Sequence, residues 1–300
     1  MIIEGNDIRV DRGLVRIGRL EGEQYQFLED PLRVISGLKR CTERVDLFTF
    51  TQRVSDTTPQ YGLPFEWHNI AALPVTSYQD WWSKTIDNKT RNVVRRAEKK
   101  GVEVREVPLD DDLVRGIWNI YNETPVRRGK RFRHFGKDIK TVYREEATFP
   151  DHSVFVGAYF EKALIGFIKL TADHTRTQAG LMNILSLVQH RDKAPTNALV
   201  AKAVQVCAER GIPHLFYGSF VYGNKRPDSL SDFKRNSGFR QVDVPRYYVP
   251  ITGLGQLALK LGMHRRLHDR VPEPVLAKVL QLRSAWYKRR FQAICQASSV

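Results

Sequence analysis

The 300-residue chain has only three cysteines, Cys41, Cys207 and Cys295. They are odd in number, far apart and without metal-ligand spacing, so neither a disulfide framework nor a thiolate metal site is expected. Cys207 falls on the apolar face of an expected helix, as a buried thiol does, which fits a reducing compartment. No His-Glu-x-x-His or Cys-x-x-Cys occurs and the eight histidines do not cluster, so no metal is expected. There is no Gly-x-Ser-x-Gly elbow, no Gly-x-Gly-x-x-Gly and no P-loop, which argues against those hydrolase, dinucleotide and nucleotide sites. No run approaches the roughly 18 apolar residues of a spanning helix. The start, Met1-Ile2-Ile3-Glu4-Gly5-Asn6, lacks the basic-then-apolar pattern of a signal peptide. A cytoplasmic protein is expected.

What is present is a core-forming, basic chain. Hydrophobic residues make up 42%, with 15 Phe, 11 Tyr and 5 Trp, enough to build a buried interior. The 48 basic residues against 33 acidic ones leave a net charge of +15. That favours an anionic partner: nucleic acid, a phosphorylated small molecule or an anionic membrane surface. A well-solvated basic surface is the plainer alternative.

Periodicity places the elements. Strands are expected at 15–20, 46–52, 66–73 and 102–107, and helices at 32–41, after Ser77, at 89–100, 110–123 and 136–147. The helix at 89–100 is strongly basic, and Gly101 ends it as a C′ residue does. A hairpin follows, 153–160 with 164–172, its turn at Glu161-Lys162-Ala163. The stretch 181–239 then reads strand 181–188, polar turn, helix 197–209, strand 214–219 and short helix 232–239. Its turn, Gln189-His190-Arg191-Asp192-Lys193-Ala194-Pro195-Thr196, delivers a strand end to a basic helix N-terminus, a natural place for an anion. A last strand covers 242–251. From Gly253 the pattern is helical, with Val275, Val279, Leu282, Trp286 and Ile294 on one side and a cationic flank. From residue 102 the order is β, α, α, β, β, β, α, β, α, β.

That order, together with the ending Phe233-Lys234-x-x-Ser237-Gly238-Phe239, resembles the GNAT acyltransferase superfamily over about residues 101–250. Two features resemble its Fem-type peptidoglycan-bridge aminoacyltransferases and the related FemAB-like proteins. One is Arg91-x-x-x-Arg95-Arg96-Ala97-x-Lys99-Lys100-Gly101-Val102. The other is the Phe233-Lys234 pair before Gly238-Phe239. The resemblance implies an α+β fold, a GNAT-like mixed, mostly antiparallel sheet with helices on both faces. It divides the chain into a reduced N-terminal GNAT-like lobe, 1–100, an acyltransferase domain, 101–252, and a basic C-terminal helical extension, 253–300.

The departures bear on the donor. GNAT acetyltransferases cradle the CoA pyrophosphate with a glycine-bearing turn, and here the turn from Gln189 to Asn197 has no glycine. Many also place a Tyr where this chain has Phe233, which cannot protonate a thiolate. Both fit a Fem-like protein that uses aminoacyl-tRNA, and so does the charge. No tightly bound cofactor is expected, and the donor stands open between aminoacyl-tRNA and acyl-CoA. The acceptor is an amine, which the resemblance places in envelope or polysaccharide metabolism.

Acyl transfer needs donors aimed at an oxyanion and a path for the amine proton. Lys234 is the candidate charged stabiliser, matched to the functional lysine of Fem-type proteins. Its plain alternative is a surface lysine. Backbone N–H groups near Leu187 and Val188 are candidates to polarise the carbonyl if the strand splays there. Asp173 and His174, at the end of the hairpin, are candidate proton acceptors or plain turn residues. Arg191 and Lys193, with Thr196 and Asn197, are candidates for donor phosphate. Ser219, Tyr222 and Asn224 are candidates for the acceptor, beside Phe233. Arg127 and Arg128, in the run to Arg133, are a candidate phosphate clamp or a basic loop. A different class of function is also open: an inactive GNAT-like module that holds RNA or anionic membrane through helices 89–100 and 278–290, with 275–295 as a peripheral membrane contact.

Overall fold

The structure, a computed structural model, describes residues 1–22, 25–127, 130–222 and 229–265, and beyond these 275, 278, 279, 281–283, 285–287 and 289. Strands β1 (Ile2–Ile3), β2 (Asn6–Asp11) and β3 (Ile17–Leu20) precede helix α1 (Pro31–Arg40). Strands β4 (Leu47–Thr51) and β5 (Phe65–Pro74) follow. The short α2 (Tyr78–Asp80) runs into a π-wound turn, Trp81–Thr85, and then α3 (Asn88–Lys99). Next come β6 (Glu103–Val107), α4 (Asp111–Asn122), the small hairpin of β7 (Val126–Arg127) and β8 (Lys130–Arg131), and α5 (Ile139–Glu146). Strands β9 (Ser153–Phe160), β10 (Ala163–Ala172) and β11 (Ala179–Ser186) lead through a 3-10 turn, Val188–Lys193, into α6 (Pro195–Glu209). The chain closes with β12 (His214–Phe216), α7 (Ser229–Asn236), β13 (Arg240–Pro250) and α8 (Gly253–Lys260).

Helix ends follow local chemistry. Asp30, Asp87, Asp110 and Asp138 each accept the N–H three residues on, at α1, α3, α4 and α5. Gly101, Gly211 and Gly238 all have positive φ. After α7, Phe239 N–H donates to the Lys234 carbonyl and Gly238 N–H to that of Arg235, the paired closure of a Schellman motif. Val102 and Ile212 make the equivalent bonds after α3 and α6.

Two compact units interleave along the chain. Unit one takes Met1–Ser77, Thr171–Gly180 and Cys207–Arg270, and unit two takes Tyr78–Leu170, Leu181–Val206 and Val271–Val300. The division into 1–100, 101–252 and 253–300 follows the chain; the units do not.

In unit one the strand order is β1-β2-β3-β4-β13-β5-β12. β13 lies between β4 and β5, antiparallel to both, with Tyr247 opposite Phe50 and Val244 opposite His68. β3 and β4 are parallel. Ile8, Leu20, Val34, Leu38, Phe48, Phe50 and Tyr247 form the buried core against α1. α8 is seated on Asp46. That carboxylate accepts from Arg16 N–H, Arg44 Nε and the Thr252 hydroxyl, and its backbone carbonyl accepts from Ile251 N–H. Burial alone would raise the Asp46 pKa, and those bonds outweigh it and hold it low.

In unit two the order is β11-β10-β9-β6, with β6 and β9 antiparallel. α4 and α5 cover one face, burying Leu113, Ile117, Ile120, Tyr121, Val142, Phe155 and Phe167. The described residues between 275 and 289 are helical, and Val275, Val279 and Leu282 are exposed. Among the described residues no helix is long and apolar enough to cross a membrane.

Two local expectations change. The strand expected to reach Ser219 stops at Phe216. Gly218 takes φ +54°, a conformation that favours glycine, and the Tyr222 hydroxyl lies 2.9 Å from where a Cβ would stand. The polar turn after β11 is wound as a 3-10 helix and ends on Ala194 at φ +51°, a left-handed position filled without glycine.

Candidate functional site

The bend after β12 and helix α7, both in unit one, meet at Lys234. The Lys234 side chain is wholly buried. Its Nζ donates to the Ser219 carbonyl at 2.6 Å. The same ammonium lies 4.5 Å from the centre of the Tyr217 ring and 4.8 Å from that of Tyr222. The carbonyl bond and the two ring faces are favourable contacts for a buried ammonium. Ser231 Oγ donates to the Phe220 carbonyl at 3.1 Å, so α7 grips the 217–222 loop twice. Phe233 is half-buried one residue before Lys234. The surface-lysine alternative fails on burial.

Opposite the loop runs β5. His68 Nε2 is 3.2 Å from Ser219 Oγ, and both side chains are half-exposed. Sequence reading singled out Ser219, Tyr222 and Lys234 but passed over His68. Its only local signal was a histidine in an otherwise ordinary strand pattern. Asn224 and Arg128 lie outside the described residues.

Asp173 is a turn anchor. Its carboxylate accepts from Thr177 N–H, Gln178 N–H, the hydroxyls of Thr175 and Thr177, and Arg53 Nε. Burial pushes its pKa up, but these bonds win and leave it below the ordinary carboxylate value. A carboxylate so fully engaged is a poor proton acceptor. His174 is exposed, 3.8 Å from Glu29.

In unit two, the backbone donors after β11 are already engaged. Leu187 N–H bonds the Ile165 carbonyl at 2.8 Å, so the strand remains paired there. Val188 N–H donates to Glu123 Oε2 at 2.7 Å and Gln189 N–H to Oε1 at 3.0 Å. A carboxylate of the chain itself thus caps this turn, where the sequence placed a polarised carbonyl. Arg127 is spent on the same knot: it donates to Glu123, to the Ile120 carbonyl and to the Ser186 carbonyl. The clamp reading for Arg127 gives way to this bracing role. Lys193 lies over the Phe160 ring at 4.5 Å, while Arg191 is exposed. The Thr196 hydroxyl meets that of Ser186 at 3.1 Å, and Asn197 N–H bonds the Ala194 carbonyl.

A buried polar cluster sits under α5. Lys169, on β10, is fully buried and donates to the carbonyls of Glu146 and Thr148 and to the Thr148 hydroxyl. It thereby neutralises the carbonyl end of the helix. Glu146 Oε1 accepts from the Tyr121 hydroxyl at 2.7 Å and Asn183 Nδ2 at 2.9 Å, while Oε2 meets no donor. Burial raises the Glu146 pKa, against the opposing bonds from Tyr121 and Asn183 and the Lys169 charge. Burial lowers Lys169 to about 8. A carboxyl whose pKa is raised by folding binds protons more tightly in the native state. Its contribution is full below the ordinary value of 4.5 and is lost as pH rises through the folded value. Lys169 acts only above about 8, where the unfolded chain binds more protons and stability rises with pH toward 10.5. Glu146→Gln should therefore gain thermal stability relative to wild type as pH is raised from about 4 to 7, read as melting midpoints. Parallel melting curves for the two proteins would contradict this cluster.

Among the described residues no group of His, Cys, Asp and Glu is arranged to hold a metal ion. No family model and no curated protein sequence matches the chain. Its fold is similar to solved structures. The C-terminal DUF2156 domain of a putative lysylphosphatidylglycerol synthetase from Agrobacterium fabrum is similar at a TM-score of 0.59 and 15% identity, over 87% of this chain and 86% of that one. L-PGS from Bacillus licheniformis gives a TM-score of 0.57 at 14% identity, over 90% and 89%. FemX gives 0.52 at 12%, over 78% and 72%. At such identities the likeness is one of fold. The chain shares the mixed α+β, mostly antiparallel fold of these structures.

Proposed function

We propose that this protein transfers an aminoacyl group from charged tRNA to an amine acceptor at the Lys234 site. The observation that carries the reading is the Lys234 ammonium. It is buried at the Phe-Lys of α7, caged by Tyr217 and Tyr222, and bonded to the loop that carries Ser219. A fixed positive charge there stabilises the oxyanion of acyl transfer. Phe233 and Ser219, both half-buried, and the exposed Tyr222 lie on the same loop and helix.

Two further features support an aminoacyl-tRNA donor over acyl-CoA. The N–H groups of Val188 and Gln189 serve the Glu123 carboxylate, where a pyrophosphate would need them. α3 presents Lys89, Arg95, Arg96 and Lys99 to solvent, a cationic face suited to a polyanion. One similar structure bears the name lysylphosphatidylglycerol synthetase, which describes an aminoacyl product.

The test is a donor comparison. Purified protein is offered charged tRNAs and, separately, acyl-CoA thioesters, each with a panel of amines on sugars, peptides and headgroups. Transfer from charged tRNA, weakening steeply with salt, is the expected result. Turnover with acyl-CoA alone overturns the donor assignment, and turnover with neither overturns the reading.

A further inference from the structure

The contact between His68 and Ser219 is held more firmly than a chance surface contact. The loop carrying Ser219 is bonded to the strand carrying His68 on both sides of Ser219. On one side Ala71 N–H donates to the Gly218 carbonyl and Tyr217 N–H to the Ala71 carbonyl, both at 2.8 Å. On the other, Val221 N–H donates to Asn69 Oδ1 at 2.8 Å. Lys234 holds the Ser219 carbonyl from a third direction. Across the sheet, His68 stands opposite Val244 of β13, a wholly buried residue. A hydroxyl and an imidazole are thus fixed within hydrogen-bond reach at a half-exposed surface, directly beside a buried cation. On the same face of β5, Glu66, two residues away, is bonded to the His264 and Arg265 side chains, and Arg246 of β13 stands opposite it.

We infer that Ser219 and His68 are the proton relay of the transfer reaction, an inference that rests on the acyl-transfer reading above. With the ring proton on Nδ1, His68 Nε2 accepts from the Ser219 hydroxyl. The Ser219 oxygen then has lone pairs for an acceptor N–H. As the amine nitrogen attacks, a C–N bond forms and the carbonyl π pair moves to oxygen, within the field of Lys234. The amine proton passes to Ser219 Oγ while the Ser219 proton passes to His68 Nε2. When the intermediate collapses, the bond from the acyl carbon to the leaving oxygen breaks. The imidazolium returns its proton by the same path to that oxygen, and both side chains end as they began. Ser219 is the group that meets substrate, and His68 acts through it. The relay takes an amine acceptor that arrives protonated at neutral pH only if a second base removes its first proton, so it selects amines or amides of low basicity.

The experiment uses the full chain and the donor that gives turnover in the comparison above. His68→Gln keeps a hydrogen-bonding side chain and removes the base. It should lower kcat/KM by about 10²-fold, with the donor KM little changed. Ser219→Ala should lose on the order of tenfold or more. The acid limb of the kcat/KM–pH profile should vanish in His68→Gln and persist in Ser219→Ala, and added imidazole should restore part of the rate of His68→Ala. A merely structural histidine would show neither the lost limb nor the rescue. Wild-type rates and profile in His68→Gln overturn the relay and leave the transfer reading standing. An acyl adduct on Ser219, seen by mass spectrometry, overturns it in favour of covalent catalysis. Absence of transfer by the wild-type protein removes both.

Discussion

Lys234→Met is expected to reduce acyl transfer by about 10²-fold or more, the scale seen when one preorganised electrostatic donor is removed. Methionine keeps most of the buried volume and deletes the ammonium. Two losses follow. The Ser219 carbonyl, now bonded at 2.6 Å, is left without its donor, which costs about 1–3 kcal/mol of stability. The contacts with the rings of Tyr217 and Tyr222 weaken by about 1–2 kcal/mol. The melting midpoint should fall by several degrees. Tyr222→Leu separates charge from loop support. It opens one side of the cage, where Tyr222 is already exposed, and leaves the bond between ammonium and carbonyl in place. Its loss of transfer should be tenfold or less. The comparison is read as kcat/KM against melting midpoint for the three proteins. If Lys234→Met transfers at the wild-type rate, the ammonium only holds the loop. If Tyr222→Leu is as impaired as Lys234→Met, loop position alone sets the rate.

Gly255→Ala carries the largest expected effect on folding. Gly255 lies in the first turn of α8, three residues after the cap Thr252, whose hydroxyl it donates to. A Cβ there would overlap the backbone carbonyl of Asp46. That carbonyl cannot step aside cheaply. It accepts from Ile251 N–H, while the Asp46 side chain holds Arg16, Arg44 and Thr252. Either α8 lifts off or the start of β4 moves, and the knot opens. Overpacking of this kind costs on the order of 3 kcal/mol or more and should lower the melting midpoint by about 10 °C. Asp46 is held at low pKa, so it stabilises the fold above the ordinary carboxylate value and loses that contribution as pH falls through the folded value. Opening the knot should therefore also make Gly255→Ala less sensitive to acid than wild type between about pH 5 and 3. An unchanged midpoint in Gly255→Ala would mean that α8 does not seat on Asp46.

The helix ends and the order of elements were open to reading in the sequence. The aspartates before α1, α3, α4 and α5 cap a donor three residues on, and Gly101, Gly211 and Gly238 supply the left-handed residue that closes a helix. Such bonds span a few residues, so a local pattern specifies them. The Phe233-Lys234 pair stood out for the same reason, and the resemblance to a GNAT-like fold rested on order and on these endings. What Lys234 does with its charge is another matter. Its partners Tyr217, Ser219 and Tyr222 come to it because Gly218 bends the chain back, which turned an expected strand into a loop. The pairing of His68 with Ser219 joins positions 151 residues apart, and Glu123 meets Val188 across 65. Periodicity records which face of an element is buried, not which element lies beside it. β13 settles between β4 and β5, and the two units draw on alternate stretches of the chain. Only tertiary structure, by closing long loops and setting strand register, decides which polar side chains meet. The sequence determined the frame and the lysine; the fold decided that the lysine is buried, that a histidine meets Ser219 on the loop it holds, and that the turn after β11 is filled by the chain's own carboxylate.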